Sequence, residues 1–198
     1  MTFRDDLLDD CRAAFAGGGG VAILAQLARL GAWVDSIGDA AVDGEDAVAA
    51  WVAQRLPLHA LVLDAGVSFG TGGEAGLRNA LELAWVCARA VATGALIPAA
   101  GAGKLLFVAP RPDAGAHAEA ARSAIENLAR TLSVEWARFE VTAVAICPGS
   151  RTTEEEIAAL VCFLLSEAGG YFTGCRFDLG AVPVPTRCDS QPRMSAST

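Results

Sequence analysis

The sequence predicts an α/β fold: a doubly wound parallel sheet with helices on both faces. Three observations carry this expectation. Ala60-Leu-Val-Leu, Lys104-Leu-Leu-Phe-Val-Ala and Val141-Thr-Ala-Val-Ala-Ile are short, nearly continuous apolar runs, the pattern of strands covered on both sides. Between such runs lie amphipathic stretches. From His117 to Arg138, Ala121, Ile125, Leu128, Leu132 and Trp136 recur at three- and four-residue steps and form one apolar stripe. Strands alternating with helices of this size imply right-handed βαβ crossovers, and therefore parallel strands.

Read in order, the first strand is Cys11-Arg-Ala-Ala-Phe-Ala16, followed by the run Gly17-Gly-Gly-Gly20 and a helix, Val21-Ala-Ile-Leu-Ala-Gln-Leu-Ala-Arg-Leu30. A strand at 32–37 and a helix at 45–56 precede the strand that begins at Ala60. Helices at 77–93 and 117–138 flank the strand at 104–109. The strand at 141–146 leads to a helix at 154–166 and a last strand at 175–182. The expected organisation is one domain over 1–182 with a loosely ordered tail over 183–198, rich in Pro, Ser and Thr.

Composition narrows the function classes. The chain has 198 residues, 53% apolar and 19% charged, which suits one compact domain with a sizeable core. A net charge of -8 repels phosphate backbones and anionic membranes, so neither nucleic acid nor membrane is an expected partner. The polar, acidic amino terminus and the lack of an uncharged apolar run of about 18 residues predict a cytoplasmic protein. Six cysteines are scattered without a CxxC pair, and only His59 and His117 are present to join them, so no metal site is expected.

Four stretches in a fixed order carry a family resemblance. They are His59-Ala-Leu-Val-Leu-Asp-Ala-Gly66, the helix segment from Arg122 to Glu135, Cys147-Pro-Gly149, and Glu154 to Ser166 with Tyr171-Phe-Thr-Gly174. Together they resemble the short-chain dehydrogenase/reductase family, which has a Rossmann-like fold and protonates a carbonyl with a tyrosine four residues before a lysine. Mapped through that resemblance, the serine position falls on Pro110 with Ala109 beside it. The tyrosine position falls on Ala118, or on His117 if the register slips by one. The lysine position is Arg122, and the asparagine position is Ala80 with Asn79 beside it. None of these side chains serves as the family's acid, and Tyr171, the only tyrosine, lies elsewhere. No catalytic residue is therefore expected.

The resemblance also implies a cofactor site, and the sequence lacks much of it. The family loop Thr-Gly-x-x-x-Gly-x-Gly is shortened to Gly17, Gly18, Gly19 and Gly20. Leu63 and Asp64 replace the two asparagines of Asn-Asn-Ala-Gly. The stretch 31–60 holds one strand and one helix where the family fits two of each, and Gly149 runs almost directly into the last helix, without the substrate lid. The expectation is a degenerate, shortened pseudoenzyme with vestigial Gly17–Gly20 and Asp64 and no cofactor of its own. Its expected partner is an active paralogue that carries NAD or NADP, joined in a heterodimer or heterotetramer through helices 77–93 and 117–138, with Ala118, Ala121, Ala124 and Ala129 as a small-residue face. Two alternatives stay open: a cofactor-independent cyclase or isomerase using Asp64, His117 and Arg122, and an NAD(P)-dependent oxidoreductase.

Overall fold

The computed structural model describes residues 4–180. The tail at 183–198, and residues 181–182 of the expected last strand, lie outside the described residues. Six parallel strands form one sheet in the order β2-β1-β3-β4-β5-β6: β1 Arg12–Ala16, β2 Trp33–Ser36, β3 Ala60–Asp64, β4 Lys104–Val108, β5 Thr142–Cys147 and β6 Cys175–Asp178. The helices are α1 Val21–Arg29, α2 Glu45–Ala53, the single turn α3 Gly66–Phe69, α4 Gly73–Val91, α5 Ala118–Glu135 and α6 Glu154–Leu165.

Side chains alternate across the sheet with the strand period of two, so each strand feeds two cores. Ala14, Leu61, Leu63, Leu105, Phe107, Ala143 and Ala145 pack with α2, α4 and α5. Phe15, Val62, Leu106, Val108, Val144 and Ile146 pack with α1 and α6. This placement corrects the expectation of uniformly right-handed crossovers. The chain steps in one direction from β3 to β4, β5 and β6, yet α4 and α5 lie on one face and α6 on the other. The last crossover thus has the opposite hand to the two before it. Burial accounts for the exception, because α1 alone is too short to cover Leu106, Val144 and Ile146.

Two further devices fix α6. Thr153 and Glu156 form a reciprocal capping box at its start. At its end Lys104 Nζ donates to the carbonyls of Leu164 (3.0 Å), Leu165 (3.1 Å) and Ser166 (2.5 Å), satisfying acceptors the helix leaves unpaired. Burial lowers the Lys104 pKa from its ordinary value, against a smaller opposing effect of Cys11 and Glu167.

The helix expected at 77–93 begins earlier, at Gly73, and continues into a wider turn at Ala92–Leu96. Gly76 allows the early start: a Cβ there would stand 2.2 Å from the Phe69 carbonyl oxygen, so only glycine lets α4 lie against α3. The helix expected at 117–138 spans Ala118–Glu135, with His117 in the left-handed region at its amino-terminal cap. Its alanines do not form one outward face. Ala118, Ala121 and Ala129 are buried in the core beneath α5, while Ala124 is half-buried and lies in a row with exposed Ala120, Asn127 and Thr131. The reason is helical phase, since the small residues allow α5 to approach the sheet rather than a partner.

Ala121→Arg therefore tests packing, not association. Placing a guanidinium in the core should cost at least about 3 kcal/mol, the scale of an uncompensated buried charge, whereas Ala124→Glu should stay within about 0.5 kcal/mol. Urea denaturation of the two variants measures both effects, and equal stabilities would contradict this orientation of α5.

Candidate functional site

From β1 the chain steps outward to β2, then returns to the other side of β1 with β3, so the strand order reverses between β1 and β3. Open α/β sheets form a crevice at the carboxyl ends of the strands at such a point. Here the crevice has a volume of about 590 Å³ and is bordered by the glycine run, Asp64, Val67, Ala109, Arg111 and Pro148 among others.

The glycine run is explained by its neighbours. Gly17 has a φ of +115°, and a Cβ on it would stand 2.2 Å from the Asp64 carbonyl oxygen. Gly20, at +75°, turns the chain into α1 with a Cβ position 2.4 Å from the Phe15 ring. The run is a tight connection between β1 and α1 pressed onto the end of β3.

Asp64 ends β3 and turns its carboxyl into the crevice. Its Oδ1 accepts a hydrogen bond from the Gly66 N–H at 2.8 Å. Burial raises its pKa above the usual carboxylate value. The Gly66 hydrogen bond opposes that rise, the Glu154 charge reinforces it, and the Arg111 charge opposes it.

Arg122 is the pivot of the site. The prolines at 110 and 148 end the segments that follow β4 and β5, and their carbonyl oxygens have no sheet partner. Arg122 Nη1 donates to both, at 2.7 Å to Pro110 and 2.7 Å to Pro148. The residue is only 4% exposed. Nε lies 3.3 Å from the Glu119 carboxylate, an ion contact without the alignment of a hydrogen bond, and Nη2 lies 3.7 Å from Asp178. Arg122 thus points into the body of the protein. Around it Ala118, Ala80 and Pro110 are buried and offer no proton. His117 is exposed at the start of α5, and Tyr171 is 91% exposed. The structure does not bring Asp64, His117 and Arg122 into one cluster: only Asp64 borders the crevice.

One residue of the site escaped the sequence reading. Arg111 donates to the carbonyls of Gly149 (2.9 Å) and Thr152 (2.6 Å) and to the Glu154 carboxylate (2.6 Å). Thr152, itself buried, accepts from the Gly149 N–H at 2.8 Å and donates to the Leu179 carbonyl at 2.7 Å. These bonds hold the short connection between β5 and α6 against β4 and β6. The acidic triplet Glu154-Glu-Glu at the start of a helix was the visible sign that a nearby cation was wanted. Among the described residues no group of three or more His, Cys, Asp or Glu side chains is placed to hold a metal ion.

Solved structures share this architecture. A citronellol catabolism dehydrogenase from Pseudomonas aeruginosa is similar at 26% identity and a TM-score of 0.70, over 89% of this chain and 95% of that one. A mutant of a Serratia marcescens short-chain dehydrogenase/reductase matches at 24% identity and a TM-score of 0.69, over 87% and 97%. A Beutenbergia cavernae structure assigned as an NAD(P)-dependent gluconate 5-dehydrogenase, holding NADP at low occupancy, matches at 21% identity and a TM-score of 0.68, over 84% and 94%. No family model and no curated protein matches the sequence. Together with the four motif stretches, now seen in register on the same elements, these likenesses show that the chain is a member of the short-chain dehydrogenase/reductase family.

Two measurements follow from the site. Arg122→Met leaves two buried carbonyls unpaired and should cost about 2–4 kcal/mol in urea denaturation; a loss under about 1 kcal/mol would show that the bonds are dispensable. For Asp64 the folded pKa is raised, so the folded state binds the proton more tightly and the contribution of this carboxyl to stability falls as pH rises from the unfolded value of about 3.9. Wild type should lose stability relative to Asp64→Asn over that rise, and parallel pH profiles would contradict the placement of the carboxyl.

Proposed function

We propose that this chain is a non-catalytic subunit that associates with a catalytically complete short-chain dehydrogenase/reductase. The observation that carries the reading is the commitment of Arg122, at the family's lysine position, to the carbonyls of Pro110 and Pro148. A group that must hold a ribose and lower a tyrosine pKa has to face the cleft, and this one faces away. The nearest equivalents of the other catalytic positions carry no ionisable hydrogen, and loss of general acid catalysis costs about 100- to 10,000-fold in rate.

The residues present do not fit NAD or NADP. A dinucleotide pyrophosphate needs N–H donors and positive charge at the switch point. The crevice presents Asp64 and Glu154 there, and Arg111 is already spent on Glu154 and two carbonyls. Only one strand, β2, extends the sheet beyond β1, so the wall that would border an adenosine is reduced. NAD or NADP then belongs to the partner. The outer sides of α4 and α5 support association, since Trp85 is 43% and Val134 78% exposed beside half-buried Leu83, Val86, Ala124 and Leu128. Among the described residues no helix is long and apolar enough to cross a membrane, which agrees with a cytoplasmic complex.

Calorimetry of the isolated chain should detect no binding of NADH or NADPH, and affinity in the micromolar range would overturn the cofactor argument. Ala118→Tyr combined with Arg122→Lys should restore no reductase activity. Co-expression with an active paralogue from the same genome, followed by size-exclusion chromatography, should give one co-eluting complex that Trp85→Glu disrupts. A chain that elutes alone from every such paralogue would contradict the subunit reading.

A further inference from the structure

We propose that the crevice at the carboxyl ends of β1, β3, β4 and β5 binds a small organic ammonium ion with an apolar body. This inference does not rest on the subunit reading, because it concerns the chain alone. The volume of about 590 Å³ falls within the usual range for small-molecule sites. Much of its wall is apolar, including Val67, Val108, Ala114 and Ile157.

Charge selects the ligand class. The crevice is lined by three carboxylates, Asp64, Asp113 and Glu154, against one guanidinium, Arg111. Arg111 is bonded to Glu154 at 2.6 Å and so offsets that carboxylate first. Asp113 is exposed and water screens it. Asp64 remains as the half-buried charge without a counterion: its Oδ1 holds the Gly66 N–H, and among the described residues its Oδ2 accepts no hydrogen bond. An ammonium group placed against Oδ2 would supply the missing donor and the missing charge, and charge-assisted bonds of this kind are about twice as strong as neutral ones. The raised Asp64 pKa has the same origin, an unneutralised carboxyl in a poorly solvated place. A phosphate would meet the opposite situation. No cation is free for it, since Arg122 is buried and turned away and the donors of Arg111 are engaged.

The probe is benzylammonium chloride, titrated at neutral pH into the isotope-labelled full chain and followed by amide NMR. Benzyl alcohol serves as the neutral isostere and NADP as the anionic competitor. Saturable shifts are expected at Gly19, Gly20, Gly66 and Val67, with benzyl alcohol weaker by about tenfold or more, as loss of a charged hydrogen-bond partner implies. Asp64→Asn, which keeps a side-chain oxygen for Gly66, should weaken benzylammonium to a similar degree. Ala114→Trp should block it by filling the crevice while leaving the charge in place. The proposal fails if benzylammonium gives no saturable shifts, or if it binds Asp64→Asn as well as wild type. It also fails if the alcohol matches the ammonium. Saturable shifts with NADP instead of benzylammonium would overturn both this proposal and the cofactor argument, whereas loss of the subunit complex would leave the ammonium site untouched.

Discussion

A guanidinium that is 4% exposed must find acceptors, and Arg122 finds them in the two carbonyls that prolines 110 and 148 present at the ends of adjacent strand segments. Once that pairing exists, much else follows. The ends of β4 and β5 are tied together from behind, α5 is drawn onto the sheet, and Asp178 on β6 is brought to 3.7 Å. From Asp178 a chain of ion pairs runs through Arg176 and Glu126 to Arg130, fastening the edge strand to α5. A lysine in the same place, with a single ammonium on a flexible stem, is free to reach a ligand, whereas the planar fork of arginine suits a fixed pair of acceptors. The exchange of cation is therefore a change of role.

The crevice persists because topology makes it. Reversal of strand order between β1 and β3 leaves a gap at the carboxyl ends whether or not anything binds there. What fills the borders is a separate matter, set by a handful of side chains. Arg111 and Thr152 pin the connection between β5 and α6 where relatives could carry longer insertions, and Asp64 and Glu154 give the opening a negative character. Shape and chemistry have diverged within one site: the shape is that of the family and the charge is opposite to what a dinucleotide needs.

Much of the fold could be read from the sequence because strands buried on both faces leave apolar runs that need no partner information to recognise. Ala60-Leu-Val-Leu and Val141-Thr-Ala-Val-Ala-Ile became β3 and β5 with bounds shifted by a residue. The glycine run and the shortened segment between Gly31 and Ala60 were legible for the same reason, as length and glycine content are local. What stayed hidden was three-dimensional. The alanines of α5 looked like a contact face until helical phase set Ala118, Ala121 and Ala129 against the sheet. The hand of the last crossover depends on which face still needs covering, which no single segment encodes. The roles of Arg122 and Arg111 depend on carbonyls that are 12 to 41 residues away in sequence.

The central claim is that the cation at the family's lysine position is a structural tie and not a cofactor ligand. The most direct measurement is the side-chain nitrogen spectrum of arginine at neutral pH, with Arg122 assigned by substitution. A guanidinium fixed on Pro110 and Pro148 should show separate Nη signals with slow rotation and slow solvent exchange, unchanged by saturating NADP. A single averaged Nη signal that moves when NADP is added would show Arg122 free in the cleft and engaged with the nucleotide, which would contradict the account.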